Sequence, residues 1–132
     1  MTVSLKQALA DNLIHVPNTL VILLTDMYRS GKFFLDAFLF DINPRHILYR
    51  SNYSAIFPNN SKISVRTLGD MDETTTHEVV THLVIDQNIP QNAMIPFITK
   101  HVDTRGAKLL HFNDRELIDP ESYDIGWRDN PL

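Results

Sequence analysis

The sequence contains no cysteine. Disulfides, thiol catalysis and thiolate metal sites are excluded at once. It also lacks a positive excess, since 12 Lys and Arg stand against 16 Asp and Glu for a formal charge of -4. A surface that tracks phosphate backbones needs a basic face, so direct nucleic-acid binding is not expected. No apolar run is long. The longest, Leu20 to Leu24, is far too short to span a bilayer, so no membrane partner is expected. Residues 1–7 show no basic segment leading into an apolar stretch, which points to an intracellular protein. Asn52-Tyr-Ser54 and Asn59-Asn-Ser61 match the glycosylation acceptor pattern but carry no weight without a secretory route. The glycine fingerprint of dinucleotide sites and the serine elbow of α/β hydrolases are both missing.

What is present describes one globular domain. The 132 residues are 43% apolar and 21% charged, enough for a single sizeable core. The expected division is a leading helix at 1–16, an α/β core at 17–122 and an acidic tail at 123–132. The C-terminal end is the acidic one: Asp114, Glu116, Asp119, Glu121, Asp124 and Asp129 face only Arg115 and Arg128.

Periodicity sets the elements. Ser4 with Gln7 forms a capping-box pattern, and Leu5, Ala8, Leu9 and Leu13 share a face, predicting a helix from about 4 to 14. Thr19 to Thr25 is continuously apolar and partly β-branched, which suits a strand buried on both faces; a helix capped by Asn18 and closed by Gly31 is the rival that periodicity leaves open. Phe33 to Phe40 reads as a core-packed helix and His46 to Arg50 as a short strand. Residues 51–61, rich in Asn, Ser and Pro, read as a loop. Lys62 to Leu68 alternates as a strand and residues 69–72 form a turn; 73–80 reads either as a short helix or as a second strand in a hairpin with 62–68, and its β-branched content favours the hairpin slightly. A βαβ unit follows: strand 81–86, helix 92–105 with Pro96 in its first turn, Gly106 as a left-handed terminator, strand 107–112. Asn113 or Asp114 then caps a short helix through Leu117 and Ile118, stopped by Pro120. The fold class is α/β: a small Rossmann-like sandwich on a mostly parallel four-stranded sheet, with an extra N-terminal helix and a β-rich insertion.

Three motifs invite chemistry and fail on spacing or context. Asp70-Met-Asp-Glu-Thr74 matches an aspartyl phosphatase loop, yet Arg66-Thr-Leu-Gly69 before it reads as a strand turning over. His77-Glu78 and His82 miss the zinc-protease spacing by one residue, which turns the rings apart on a helix or a strand. Ser30-Gly31-Lys32 needs Gly at 26 and Ser or Thr at 33 to be a phosphate loop, where Asp26 and Phe33 stand, leaving a turn with basic residues. No catalytic set, metal set or cofactor is expected, and the scattered histidines read as packed residues.

The segment 81–119 resembles the second half of a BRCT domain. The resemblance rests on Thr81-His82-Leu83-Val84, on Gly106-Ala-Lys-Leu-Leu110 after a helix, and on Asp114-Arg-Glu-Leu-Ile-Asp119 as a closing helix. Residues 19–25, 33–40 and 46–50 would then supply the first strand, first helix and second strand. The chain departs from the family in having Leu117 where a Trp is usual and Pro44-Arg45 where a glycine pair is usual. The resemblance implies a non-enzymatic, nuclear protein-interaction module of chromatin or DNA-repair assemblies that binds peptides, often phosphorylated. On that reading Thr25, Arg29, Lys32 and Lys100 are the peptide- and phosphate-binding candidates. Two other readings stand beside it: a structural subunit of a larger assembly such as a virion or scaffold, and a small α/β enzyme using Asp26 at the carboxyl end of the first strand.

Overall fold

The computed structural model describes residues 4–70 and 79–119. It is α/β, built on one seven-stranded mixed sheet in the order β2-β3-β4-β1-β5-β6-β7. Its strands are β1 (Leu20–Thr25), β2 (Tyr49–Arg50), β3 (Ser54–Ile56), β4 (Lys62–Thr67), β5 (His82–Asp86), β6 (Lys108–Asn113) and β7 (Glu116–Ile118). The pairs β4–β1, β1–β5 and β5–β6 are parallel, and the outer pairs are antiparallel.

Alternating side chains of the inner strands divide the core in two. On one face Val21, Leu23, Ile63, Val65, Val84, Leu110 and Phe112 pack against α1 (Leu5–His15) and α2 (Tyr28–Phe40). Phe34 centres this layer, its ring 4.8 Å from Phe112 and 6.1 Å from Phe38. Truncating such a ring to Ala typically costs about 3–5 kcal/mol. On the other face Ile22, Leu24, Leu83, Ile85 and Leu109 meet Met94 and Ile98 of α3 (Gln91–Phe97) and its continuation, a π-helical stretch at Ile98–Asp103.

Local chemistry explains the helix ends. Ser4 Oγ accepts from the Gln7 N–H at 3.1 Å, while the Gln7 side chain turns to Asp11 instead of closing the capping box. Gly31 lies inside α2 because the helix presses onto the sheet there. A Cβ at that position would sit 2.4 Å from Val65 Cγ1. Ser30-Gly31-Lys32 is therefore helical and not the turn its composition predicted. Gly106 adopts φ +79 and ends the second helical stretch as expected.

Several expectations are corrected. The sheet has seven strands, not four. The strand at 62–67 is an inner strand: β1 pairs with it along its whole length, and its first half forms an antiparallel hairpin with β3, the segment before it. Residues 68–70 are helical where the turn at 69–72 was expected. The rest of that turn, nearly all of the proposed partner at 73–80 and the acidic tail lie outside the described residues. The strand expected at 46–50 is an antiparallel two-residue edge, preceded by a 3-10 turn at Pro44–His46. Helix α2 begins five residues before Phe33. Pro96 sits in the second turn of α3, where it has no N–H for the Asn92 carbonyl, and the chain passes into the wider π-helical path just beyond it. Residues 114–119 are not a helix. Asp114 takes φ +53, which Asp tolerates, and a two-residue turn lets β7 cover β6 with Leu117 against the core.

The polar stretch at 51–61 is also more than a loop. It contains β3, and its end ties down α1. Asn59 Nδ2 donates to the Leu13 and Ile14 carbonyls, each at 3.1 Å, and Ser61 Oγ donates to Val16 O at 2.9 Å. These are carbonyls that a helix end leaves unpaired.

Candidate recognition site

Parallel β1, β5 and β6 finish at the same end of the sheet. From β1 the chain crosses one face through α2 to reach β4. From β5 it crosses the opposite face through α3 to reach β6. The connections diverge between β1 and β5, and such divergence opens a crevice beyond the strand ends. A cavity of about 280 Å³ lies there, lined by Arg29, Ser30, Phe33, Asp86, Asn88, Phe112 and Asp114.

Asp86 forms its floor. The residue is 1% exposed. Its Oδ1 accepts from the Asn88 N–H at 2.9 Å, and its Oδ2 lies 3.2 Å from Thr25 Oγ1. Burial pushes the carboxyl above the usual Asp range; the bonds from Asn88 and Thr25 pull it back, and the nearby Asp26 charge adds to the rise. No cation pairs with Asp86 among the described residues. Arg29 lines the same crevice, exposed, without pairing with it.

A second, larger depression of about 630 Å³ runs along the outer side of α2, lined by Lys6, Phe33, Asp36, Ala37, Phe40, Asp41 and Arg115. Phe33, Ala37 and Phe40 follow helical spacing and give it an apolar floor. Phe40 is 87% exposed and Phe33 46%. The Arg115 guanidinium stands 5.1 Å from the Phe33 ring centroid, within cation–π range. Phe33 lines both depressions, so they adjoin around its ring. A helix face expected to be all core thus carries two aromatics outward.

The four predicted site residues are not gathered into one cluster. Thr25 is fully buried, its hydroxyl 2.8 Å from the Met27 carbonyl and accepting from the Met27 N–H at 3.3 Å. It shapes the crevice floor from beneath. Arg29 does line the crevice. Lys32 is paired with Asp36 at 2.8 Å, and Arg50 reaches the same carboxylate. Lys100 belongs to the helical stretch on the opposite face of the sheet from α2. Sequence reasoning missed Asp86, Asn88, Asp114, Phe33 and Phe40. The rule that singled out Asp26, an acid at the carboxyl end of an inner strand, applies equally to Asp86 and would have found it.

Of the motifs weighed earlier, residues 71–78 lie outside the described part. His82 is on β5, its Nδ1 2.9 Å from Thr81 Oγ1. Among the described residues no group of three or more His, Asp or Glu is arranged to hold a metal ion, and no helix is long and apolar enough to cross a membrane. No protein-family model, curated protein or solved structure matches the chain.

Proposed function

We propose that the chain is a non-enzymatic protein-interaction module that binds a partner peptide along the outer face of α2. The observation that carries this reading is Phe40, an aromatic side chain 87% exposed on a well-formed helix. With Phe33 and Ala37 it makes an apolar strip, and Lys6, Asp36, Asp41 and Arg115 surround it. An apolar centre inside a charged rim is the anatomy of a protein interface. Exposed aromatics of this kind carry a large share of binding energy when covered. The strip stands on α2, whose inner face is locked by Phe34 and Phe38, so the surface is presented rigidly. The likeness to BRCT domains, and the nuclear setting it implies, belong to this proposal too. The strand found at 116–118 and the two-residue edge at 49–50 count against that likeness.

Display of random dodecapeptides on phage tests the reading. Selection on the wild-type chain should enrich sequences that lose binding to the Phe33→Ser/Phe40→Ser variant. Enriched sequences that bind both forms equally would overturn it. Self-association of the wild type, abolished by Phe40→Ser in sedimentation, would favour the structural-subunit reading instead.

A further inference from the structure

The chemistry of the crevice beside the apolar strip identifies what kind of peptide fits, an inference that rests on the docking reading above. A buried carboxylate without a cation is costly, and proteins usually neutralise it by pairing or by a proton. Asp86 has neither Lys, Arg nor His against it among the described residues. It nevertheless opens into a cavity, with Asp114 on the same wall and Asp26 close enough to influence it. Arg29 is the cation at the rim, and the balance of the crevice is negative. A phosphate placed there would face two carboxylates, Asp86 and Asp114. An ammonium or guanidinium would find an acceptor on the floor, a second on the wall, and the half-exposed Phe33 at its side. The cavity of about 280 Å³ is large enough for the end of one long side chain and too small for a folded element.

We infer that the partner segment carries a cationic side chain next to an apolar one, the cation entering the crevice against Asp86 and Asp114 while the apolar residue covers Phe33 and Phe40. The partner therefore presents a basic and an apolar residue side by side, unmodified at the point of contact. Arg29 opposes the incoming charge at the rim and selects against a loosely placed cation.

NMR titration of the full labelled chain separates the claims. The probes are three pools of capped peptides: one with Arg and a Phe or Leu at variable spacing, one with citrulline replacing Arg, and one with phosphoserine replacing Arg. The Arg pool should shift amides at 29–33, 86–88 and 112–115, and should bind about tenfold or more tighter than the citrulline pool, since a charge-assisted bond is lost. Asp86→Asn and, as an exposed control that leaves the core alone, Asp114→Asn should each weaken the Arg pool and leave the citrulline pool unchanged. Arg29→Gln should tighten the Arg pool. Equal affinity for Arg and citrulline, or preference for phosphoserine, overturns the cation claim; if Phe40→Ser still removes that binding, the docking reading survives alone. Absence of any shift on α2 with every pool overturns both.

Discussion

The two ends of the parallel strands handle buried polar groups in opposite ways. At the amino ends the side chains of Ser61, Thr81 and Asn59 are all paired with backbone groups. Ser61 Oγ donates to Val16 O and accepts from the Thr19 N–H at 3.0 Å, Thr81 Oγ1 exchanges bonds with the Leu20 backbone at 2.9 Å, and Asn59 holds two carbonyls of α1. At the carboxyl ends Asp86 is as deeply buried, but its charge is unmatched and it borders a cavity. The first arrangement closes a structure, since satisfied buried groups specify one geometry. The second leaves interaction capacity unspent where a ligand can reach it. Polar residue type alone did not distinguish the two; the partners did.

The largest effect expected from testing this contrast is at the closed end. Asn59→Ala removes two bonds to α1 carbonyls and should destabilise the chain by about 2 kcal/mol in urea unfolding, while a folded sample keeps its peptide affinity. A loss of affinity at unchanged stability would break the distinction between the ends. Asp86→Asn should do the reverse. It keeps an acceptor for the Asn88 N–H and turns an amide N–H toward the Thr25 hydroxyl oxygen, which can accept, while deleting an unpaired buried charge, and should add about 1 kcal/mol at neutral pH while weakening a cationic partner.

The pH dependence sharpens the same point. Because the folded pKa of Asp86 is raised from 3.8, its favourable neutral form is fully present below that value and lost as pH rises through the folded pKa. The advantage of Asp86→Asn should therefore vanish in acid. His82, His101 and His111 shift the other way, lowered from 6.5 chiefly by burial. Their contribution is complete above about 6.5 and is lost as pH falls through the folded values. His101 is fully buried with neither ring nitrogen hydrogen-bonded, so His101→Leu should flatten the acid side of a stability-against-pH curve measured by thermal unfolding. The smallest effect should come from Arg29→Gln, an exposed change worth under about 0.5 kcal/mol in stability.

Much of the scaffold was readable from pattern. Helix α1, the buried strands β1 and β5, the strand β6 and the glycine terminator all follow from period, capping and φ preference. What escaped depends on partners distant in sequence. Lys62–Thr67 alternates in polarity like an edge strand, yet Ser64 and Arg66 are accommodated beside β1 because Arg66 Nε bonds Ser64 Oγ at 3.0 Å. The segment Asp114–Asp119 has a capping pattern for a helix, but the open edge of β6 recruits it as a strand. The aromatic run at 33–40 looked wholly internal because composition cannot say which side of a helix meets the sheet. Asp86 looked ordinary because burial without a counter-ion is a property of the folded neighbourhood.

The sheet ends in a two-residue strand on one side and a three-residue strand on the other. Among the described residues, a neighbouring chain seeking to extend the sheet would find only short outer strands to copy, and native proteins blunt edges in this way to resist fibre growth. Any ordered assembly of this protein should consequently dissolve on mutation of exposed side chains and be indifferent to changes that alter only strand hydrogen bonding.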